Sequence, residues 1–201
     1  MKKALQLEEA RTDYLLSMLE EVRQAAKKDA RFGFDGSINY VFKRLSLLSS
    51  QMYGPRAEKY LIERLGVIKV PSLEDRGDFK TKRGAYFENK ISYPSITGTF
   101  NFLQFRPHQK LDGCLLTAID KVNGYKPYFF LLSKEQAVYE LDRLGGLCHL
   151  NKESALLNTN IEYRITLDPN TGNWNRWINN YSVEDFSCLK KQLNSIIPNN
   201  K

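Results

Sequence analysis

Gly77-Asp78-Phe79-Lys80-Thr81-Lys82-Arg83-Gly84-Ala85-Tyr86-Phe87-Glu88-Asn89-Lys90-Ile91-Ser92 is the stretch on which the fold turns. It reads as two strands joined by a turn rich in Lys and Arg, with Gly84 free to take the positive φ of a hairpin turn. Side chains alternate faces along a strand, so Glu88 and Lys90 share one face while Phe87, Asn89 and Ile91 share the other. Asp78 opens the first strand, and a hairpin carries it back toward Glu88. Two carboxylates and one lysine then converge. Two hard anionic ligands suit Mg²⁺, which takes one or two protein carboxylates and keeps several waters. An adjacent ammonium can hold an attacking water and offset charge that builds on a phosphate. Glu74 and Asp75 are rival carboxylates on the preceding loop. Asp78 is preferred because a strand holds a ligand in place better than a loop does.

Asp78, nine intervening residues, then Glu88-Asn89-Lys90 resembles the PD-(D/E)xK nuclease superfamily, best known from type II restriction endonucleases. A longer likeness runs from Tyr53-Gly54-Pro55-Arg56-Ala57-Glu58 through Leu65-Gly66-Val67-Ile68-Lys69-Val70 to Arg76-Gly77-Asp78-Phe79. The resemblance covers residues 50–135, and Gly77 stands where the eponymous proline would be. It implies an α/β fold with a restriction-endonuclease-like α/β/α core around a central mixed β-sheet. It also implies a DNA endonuclease that depends on Mg²⁺, with Mn²⁺ as a substitute, and cuts at a specific sequence to leave a 5′ phosphate and a 3′ hydroxyl. Asp78 and Glu88 would bind the metal with the Asn89 backbone carbonyl as a further ligand, and Lys90 would orient the attacking water. Members carry a glutamate on the helix before the hairpin that points toward the metal, and Glu58 matches it better than Glu63. Members also place a glutamine-bearing helix after the Glu-x-Lys strand. Gln109 is the first choice for that role, then Gln104 and Arg106. A repair or recombination nuclease that reads DNA shape, and a nucleic-acid-binding subunit without catalysis, remain alternative readings. The intact acid/acid/lysine set speaks against the second.

The chain has 201 residues, 42% hydrophobic and 12% aromatic, enough for one folded domain with a substantial core. The formal net charge of +7 fits a polyanionic partner such as double-stranded DNA. Cys114, Cys148 and Cys188 are odd in number and form no Cys-x-x-Cys pair, so they read as reduced cytoplasmic thiols rather than a disulfide framework or a zinc site. His108 and His149 are too few for a histidine-rich metal site. No run of roughly eighteen apolar residues predicts a membrane span, and the charged amino terminus reads as no secretion signal.

The expected organisation is a single domain over residues 1–201. A helical N-terminal region fills 1–66, the catalytic core 67–146, and a C-terminal strand, turn and helix extension 147–201. Mixed three/four spacing of Leu and Met predicts a helix over 4–30. Two more helices are expected in 38–65, the second starting at Arg56 with Pro55 in its first turn. The apolar run Cys114–Asp120 predicts a buried central strand, and Ser133-Lys134-Glu135-Gln136 predicts a capping box. Residues 158–167 alternate as a strand, and Ser182-Val183-Glu184-Asp185 caps a last helix.

Candidate DNA contacts are Arg56, Lys80, Lys82 and Arg83 for phosphates. Ser92 and Tyr93 lie on the hydroxyl-rich loop, and Gln104 and Arg106 are polar groups able to bond bases. Trp174 and Arg176 belong to an unusual Asn-Trp-Asn-Arg-Trp segment able to stack on bases, although Trp177 reads as core. One site cuts one strand, so a double-strand break calls for a homodimer or for a larger heterologous subunit. The 4–30 helix and the tryptophan segment are the expected interface elements.

Overall fold

A computed structural model describes residues 2–29, 31–71, 74, 76–106, 109–147 and 162–198. Asp75, His108, Cys148, His149, residues 158–161 of the expected strand and the tail from Asn199 lie outside the described residues. The chain is mixed α/β and falls into two compact units, Met1–Ala57 and Glu58–Lys201.

The first unit holds α1 (Lys2–Lys28), α2 (Ile38–Leu45) and the start of α3 (Ser50–Leu65). Ser37 caps α2 by accepting from the Tyr40 N–H, and Val41, Phe42 and Leu45 are buried. Helix α3 begins earlier than the sequence implies. Its first N–H groups are met by the Ser49 carbonyl, and Pro55 lies inside the helix rather than at its first position. A proline one turn into a helix forfeits a single backbone bond near the end, where partners are fewest.

The second unit is built on a six-stranded sheet in the order β1-β2-β3-β5-β6-β9. These strands are β1 (Ile68–Lys69), β2 (Phe79–Lys80), β3 (Tyr86–Ser92), β5 (Gly113–Asp120), β6 (Lys126–Ser133) and β9 (Ser182–Val183). All neighbours are antiparallel except β3 and β5, which run parallel. That one parallel pair requires a crossover, and the crossover contains β4 (Phe100–Phe105). Here the structure departs from the expected helix with a glutamine: Phe100, Phe102 and Phe105 bury their rings and make the segment a strand. Strand β4 joins β8 (Tyr163–Leu167) and β7 (Gly145–Leu147) in a second sheet, order β4-β8-β7.

Strand β5 is buried on both faces, as its apolar run predicts. One face presents Cys114, Leu116 and Ala118 to a cluster with Phe100, Phe102 and Phe105 of β4, Ile165 and Leu167 of β8, and two helices. These are α4 (Lys134–Leu144), with the predicted capping box on Ser133 and Gln136, and α5 (Gly172–Tyr181). On the other face, Phe129 of β6 meets Phe186 of α6 (Phe186–Ser195) edge-on at 5.7 Å. Asp185 caps α6 through the Cys188 N–H. The tryptophan segment is helix α5. Trp177 is fully buried, and Trp174 stacks on Phe100 at 5.3 Å and meets Tyr128 and Phe130 edge-on.

Candidate active site

The hairpin forms as expected. Phe79 pairs with Phe87 and Lys80 with Tyr86. Gly84 turns the chain at φ +92°, and Thr81 closes the turn by accepting the Ala85 N–H on its side chain at 3.2 Å. The Phe79 and Phe87 rings stack at 5.5 Å on one face and hold the register. One position further along, that register sets Asp78 opposite Glu88. The Asp78 N–H donates to the Phe87 carbonyl at 2.9 Å. The Asp78 Oδ2 atom accepts the Asn89 N–H at 2.8 Å, which fixes the carboxylate against β3.

Gly77 makes this approach feasible. Its φ is +84°, and a Cβ there would lie 2.6 Å from the Phe87 carbonyl oxygen and 2.7 Å from Leu111. Neither proline, with φ fixed near −65°, nor another L-residue fits.

Register puts Glu88 beside Cys114 and Lys90 beside Leu116, so both side chains face the apolar cluster. Glu88 is 5% exposed, and Lys90 forms an ion pair with its Oε1. Glu58, in the last two turns of α3, joins them. The charges of Asp78 and Lys90 are both felt at Glu58, and Lys69 of β1 donates to its Oε1 at 2.8 Å. Burial raises the Glu58 pKa, Lys69 opposes that, and Asp78 adds to it. Burial likewise raises Glu88, and Asp78 adds to it while Lys90 opposes. Burial lowers the Lys90 pKa, but Glu88 and Asp78 outweigh it and the net direction is up, so the side chain stays an ammonium. Three carboxylates and two lysines thus meet at one end of the hairpin, one more negative charge than positive, and burial before all else raises Glu58 and Glu88.

That imbalance is what a divalent cation corrects. No group of three or more His, Cys, Asp or Glu among the described residues is arranged to hold a metal on its own. The fit is of another kind: the Asp78 and Glu88 carboxylates and the Asn89 carbonyl. The N–H and C=O of a strand residue point to the same edge, so the Asn89 carbonyl faces the Asp78 side too. Strand β2 has two residues against seven in β3, and among the described residues no strand pairs with that edge of β3 past Asn89. A partial ligand set completed by water or phosphate oxygen suits Mg²⁺.

Gln109 lies in the turn after β4, not on a helix, because residues 100–105 form a strand. It is 6% exposed, its Oε1 has no partner among the described residues, and its backbone carbonyl accepts from Lys134 Nζ at 2.8 Å. Lys134, Arg106, Phe105 and Cys114 line a cavity of about 20 Å³ together with Glu88, room for a single water. Burial first, then Glu88, pushes the Cys114 thiol up to about 12, so it stays a neutral wall. Arg106 pairs with Glu162, its Nε bonding Oε1 at 2.9 Å, and its charge reaches Glu88.

Most of the other expected contacts are used internally. Ser92 is buried and accepts the Asn101 N–H at 2.9 Å. Arg176 bonds Glu140, and Trp174 is packed as described above. Arg56 donates to the Ala26 and Met52 carbonyls. On the hairpin, Lys80 lies over the Tyr86 ring, Lys82 is exposed, and Arg83 reaches the Ser195 carbonyl at 3.4 Å. Tyr93 lies under Lys121. Sequence reasoning missed Lys69, which carries no signal in a two-residue strand and gains its place only through Glu58. No family model matches the chain, and no curated protein is significantly similar to it.

Proposed function

We propose that the chain is a divalent-metal-dependent DNA endonuclease of the restriction type, built like the PD-(D/E)xK nucleases. The convergence of Asp78, Glu88 and Lys90 at the end of one hairpin carries the reading. Gly77 is the one departure from the family's motif, and its positive φ is closed to the family's proline.

Asp78, Glu88 and the Asn89 carbonyl would hold Mg²⁺, with Glu58 adding negative charge behind them. When bound, the metal would polarise a phosphoryl oxygen and stabilise the leaving oxygen. Asp78 is held for this by the Asn89 N–H, and Glu88 by Lys90. Lys90 keeps its proton, so it orients an incoming water and offsets charge on the phosphate rather than accepting a proton. Phe105, Leu111 and Leu141 give Glu88 apolar walls, a low-dielectric side that strengthens its electrostatic interactions. Each chain carries one such set, so a double-strand break needs two, and a two-fold homodimer is the simplest source.

Supercoiled plasmid incubated with Mg²⁺ is expected to yield discrete fragments, and excess EDTA to stop the reaction. Cuts confined to branched or damaged DNA would favour the repair reading. No cleavage with any of Mg²⁺, Mn²⁺ or Co²⁺ would overturn both.

A further inference from the structure

Among the described residues two non-glycine positions have positive φ, Gln104 and Tyr125, both at 62°. Tyr125 has a local reason. It follows Gly124, also at positive φ, in a turn closed by the Lys126 N–H on the Asn123 carbonyl. A turn with both central residues at positive φ matches the twist of the strands it joins. Gln104 joins no hairpin. It lies within β4, where the register with β8 slips between Phe102 and Phe105. A bulge of this kind accepts a left-handed residue, and glycine takes that conformation without the clash a Cβ meets. The sequence supplies glutamine, and no described residue bonds its side chain.

The bulge turns Leu103 and Gln104 outward in succession, both exposed, between the buried Phe102 and Phe105. Phe105 and Arg106, the next two residues of the chain, line the same cavity as Glu88, while Leu103 and Gln104 lie on the exposed side of β4. Bulges re-aim side chains next to active sites, and a residue kept in a disfavoured conformation there points to use.

We propose that Leu103 and Gln104 form a base-reading element. A carboxamide offers a donor and an acceptor side by side, the pattern that matches the N6 and N7 edge of adenine in the major groove. An apolar neighbour suits the thymine methyl. A phosphate contact would call for a cation, and Gln104 is neutral. The proposal rests on the nuclease reading and says which strand beside the active site chooses the sequence.

The test uses a randomised duplex DNA library cleaved in Mg²⁺ by wild type, Gln104→Gly and Gln104→Ala, with the cut ends sequenced. Both variants are expected to lose preference for adenine at one position of the site, on the order of ten- to hundred-fold, and to keep the other positions. Gln104→Gly should also melt at the same temperature or about 2 °C higher, because the backbone strain is gone. If wild type cuts at a defined site and both variants keep its preferences, the base-reading role falls and the nuclease reading stands. A uniform loss of rate across all sequences would likewise overturn base reading in favour of a backbone contact. A wild type that cuts nothing brings down both proposals.

Discussion

Glu88 and Glu140 are both buried glutamates: Glu140 lies on helix α4, and residues of α4 line the cavity beside Glu88. Glu88 is 5% exposed and Glu140 is 0%. Their surroundings are opposite. Glu140 accepts from both Arg176 Nη atoms, from the Trp177 indole at 3.2 Å and from the Tyr181 hydroxyl at 2.6 Å. Burial alone would raise its pKa, but the bonds from Arg176 and Tyr181 outweigh that and hold it below the usual range. Among the described residues Glu88 has Lys90 as its one cationic bond partner, and burial first, with the repelling charge of Asp78 added, raises its pKa. A satisfied buried carboxylate is a fastener. One raised by burial and by a neighbouring acid is, under the proposed function, where a cation would be held.

The largest expected effect breaks the chemistry on the Glu88 side. Lys90→Ala should slow plasmid cleavage by roughly 10³-fold or more, since an oriented water and its charge stabilisation are worth several kcal/mol of barrier. DNA binding in Ca²⁺ should survive, because the carboxylates and the Asn89 carbonyl remain. Near-wild-type cleavage by the alanine variant would remove Lys90 from the mechanism. Asp78→Asn should also cut poorly, by losing an anionic ligand.

Why one glutamate was legible in the sequence and the other was not follows from sequence distance. Glu88, Lys90 and Asp78 sit on one hairpin, where alternation and a glycine turn fix which side chains share a face. Glu140 finds its partners on α5, across a span that no local period encodes. Helix α5 itself was hidden, because Asn173-Trp174-Asn175-Arg176-Trp177 holds residues of middling helix propensity and is made helical by burying Trp177 and Tyr181. The second sheet was hidden for a related reason. Its strands β4 and β8 are far apart in sequence, and the bulge after Phe102 breaks the alternation that would mark β4. Pro55 misled in the other direction, as a strong local signal that α3 overrides with one forfeited bond.

The next effect breaks the fastener. Arg176→Met leaves Glu140 buried with, among the described residues, only the more distant Arg143, at 3.9 Å, as a cation. Removing one partner of a buried ion pair costs about 3 kcal/mol or more, which for a chain of this size is a loss of roughly 6–12 °C in melting temperature. At a temperature where the variant is folded, cleavage should be close to wild type. A rate loss as large as that of Lys90→Ala, in a folded protein, would mean that the two glutamates are not separate in function.

A smaller effect separates them by pH. The folded pKa of Glu140 lies below its unfolded value, so its contribution is complete above the unfolded pKa and is lost as pH falls through the folded one. Wild type should therefore lose stability on acidification below about pH 4.5. Arg176→Met should show a shallower loss over that window, because the shift it removes is the source of the slope. Parallel melting curves for the two proteins from pH 6 to pH 3 would refute this assignment.

The smallest effect has the opposite sign and falls on Glu88. Its folded pKa lies above the unfolded one, so ionising it costs stability as pH rises through that interval, and the cost persists at neutral pH. Glu88→Gln removes the ionisation and keeps an oxygen for Lys90 to bond, while Asp78 still faces the ammonium. In metal-free buffer at pH 7 the variant should be more stable than wild type, on the order of 1 kcal/mol, the size usual when a strained functional group is relieved. The advantage should vanish below about pH 4, where the wild-type carboxyl is protonated in both states. Adding Mg²⁺ should narrow the gap from the other side, by raising the melting temperature of wild type more than that of the variant. A glutamine variant less stable than wild type in EDTA at pH 7 would show that Lys90 fully satisfies Glu88. The contrast with Glu140 would then be one of position and not of unmet charge.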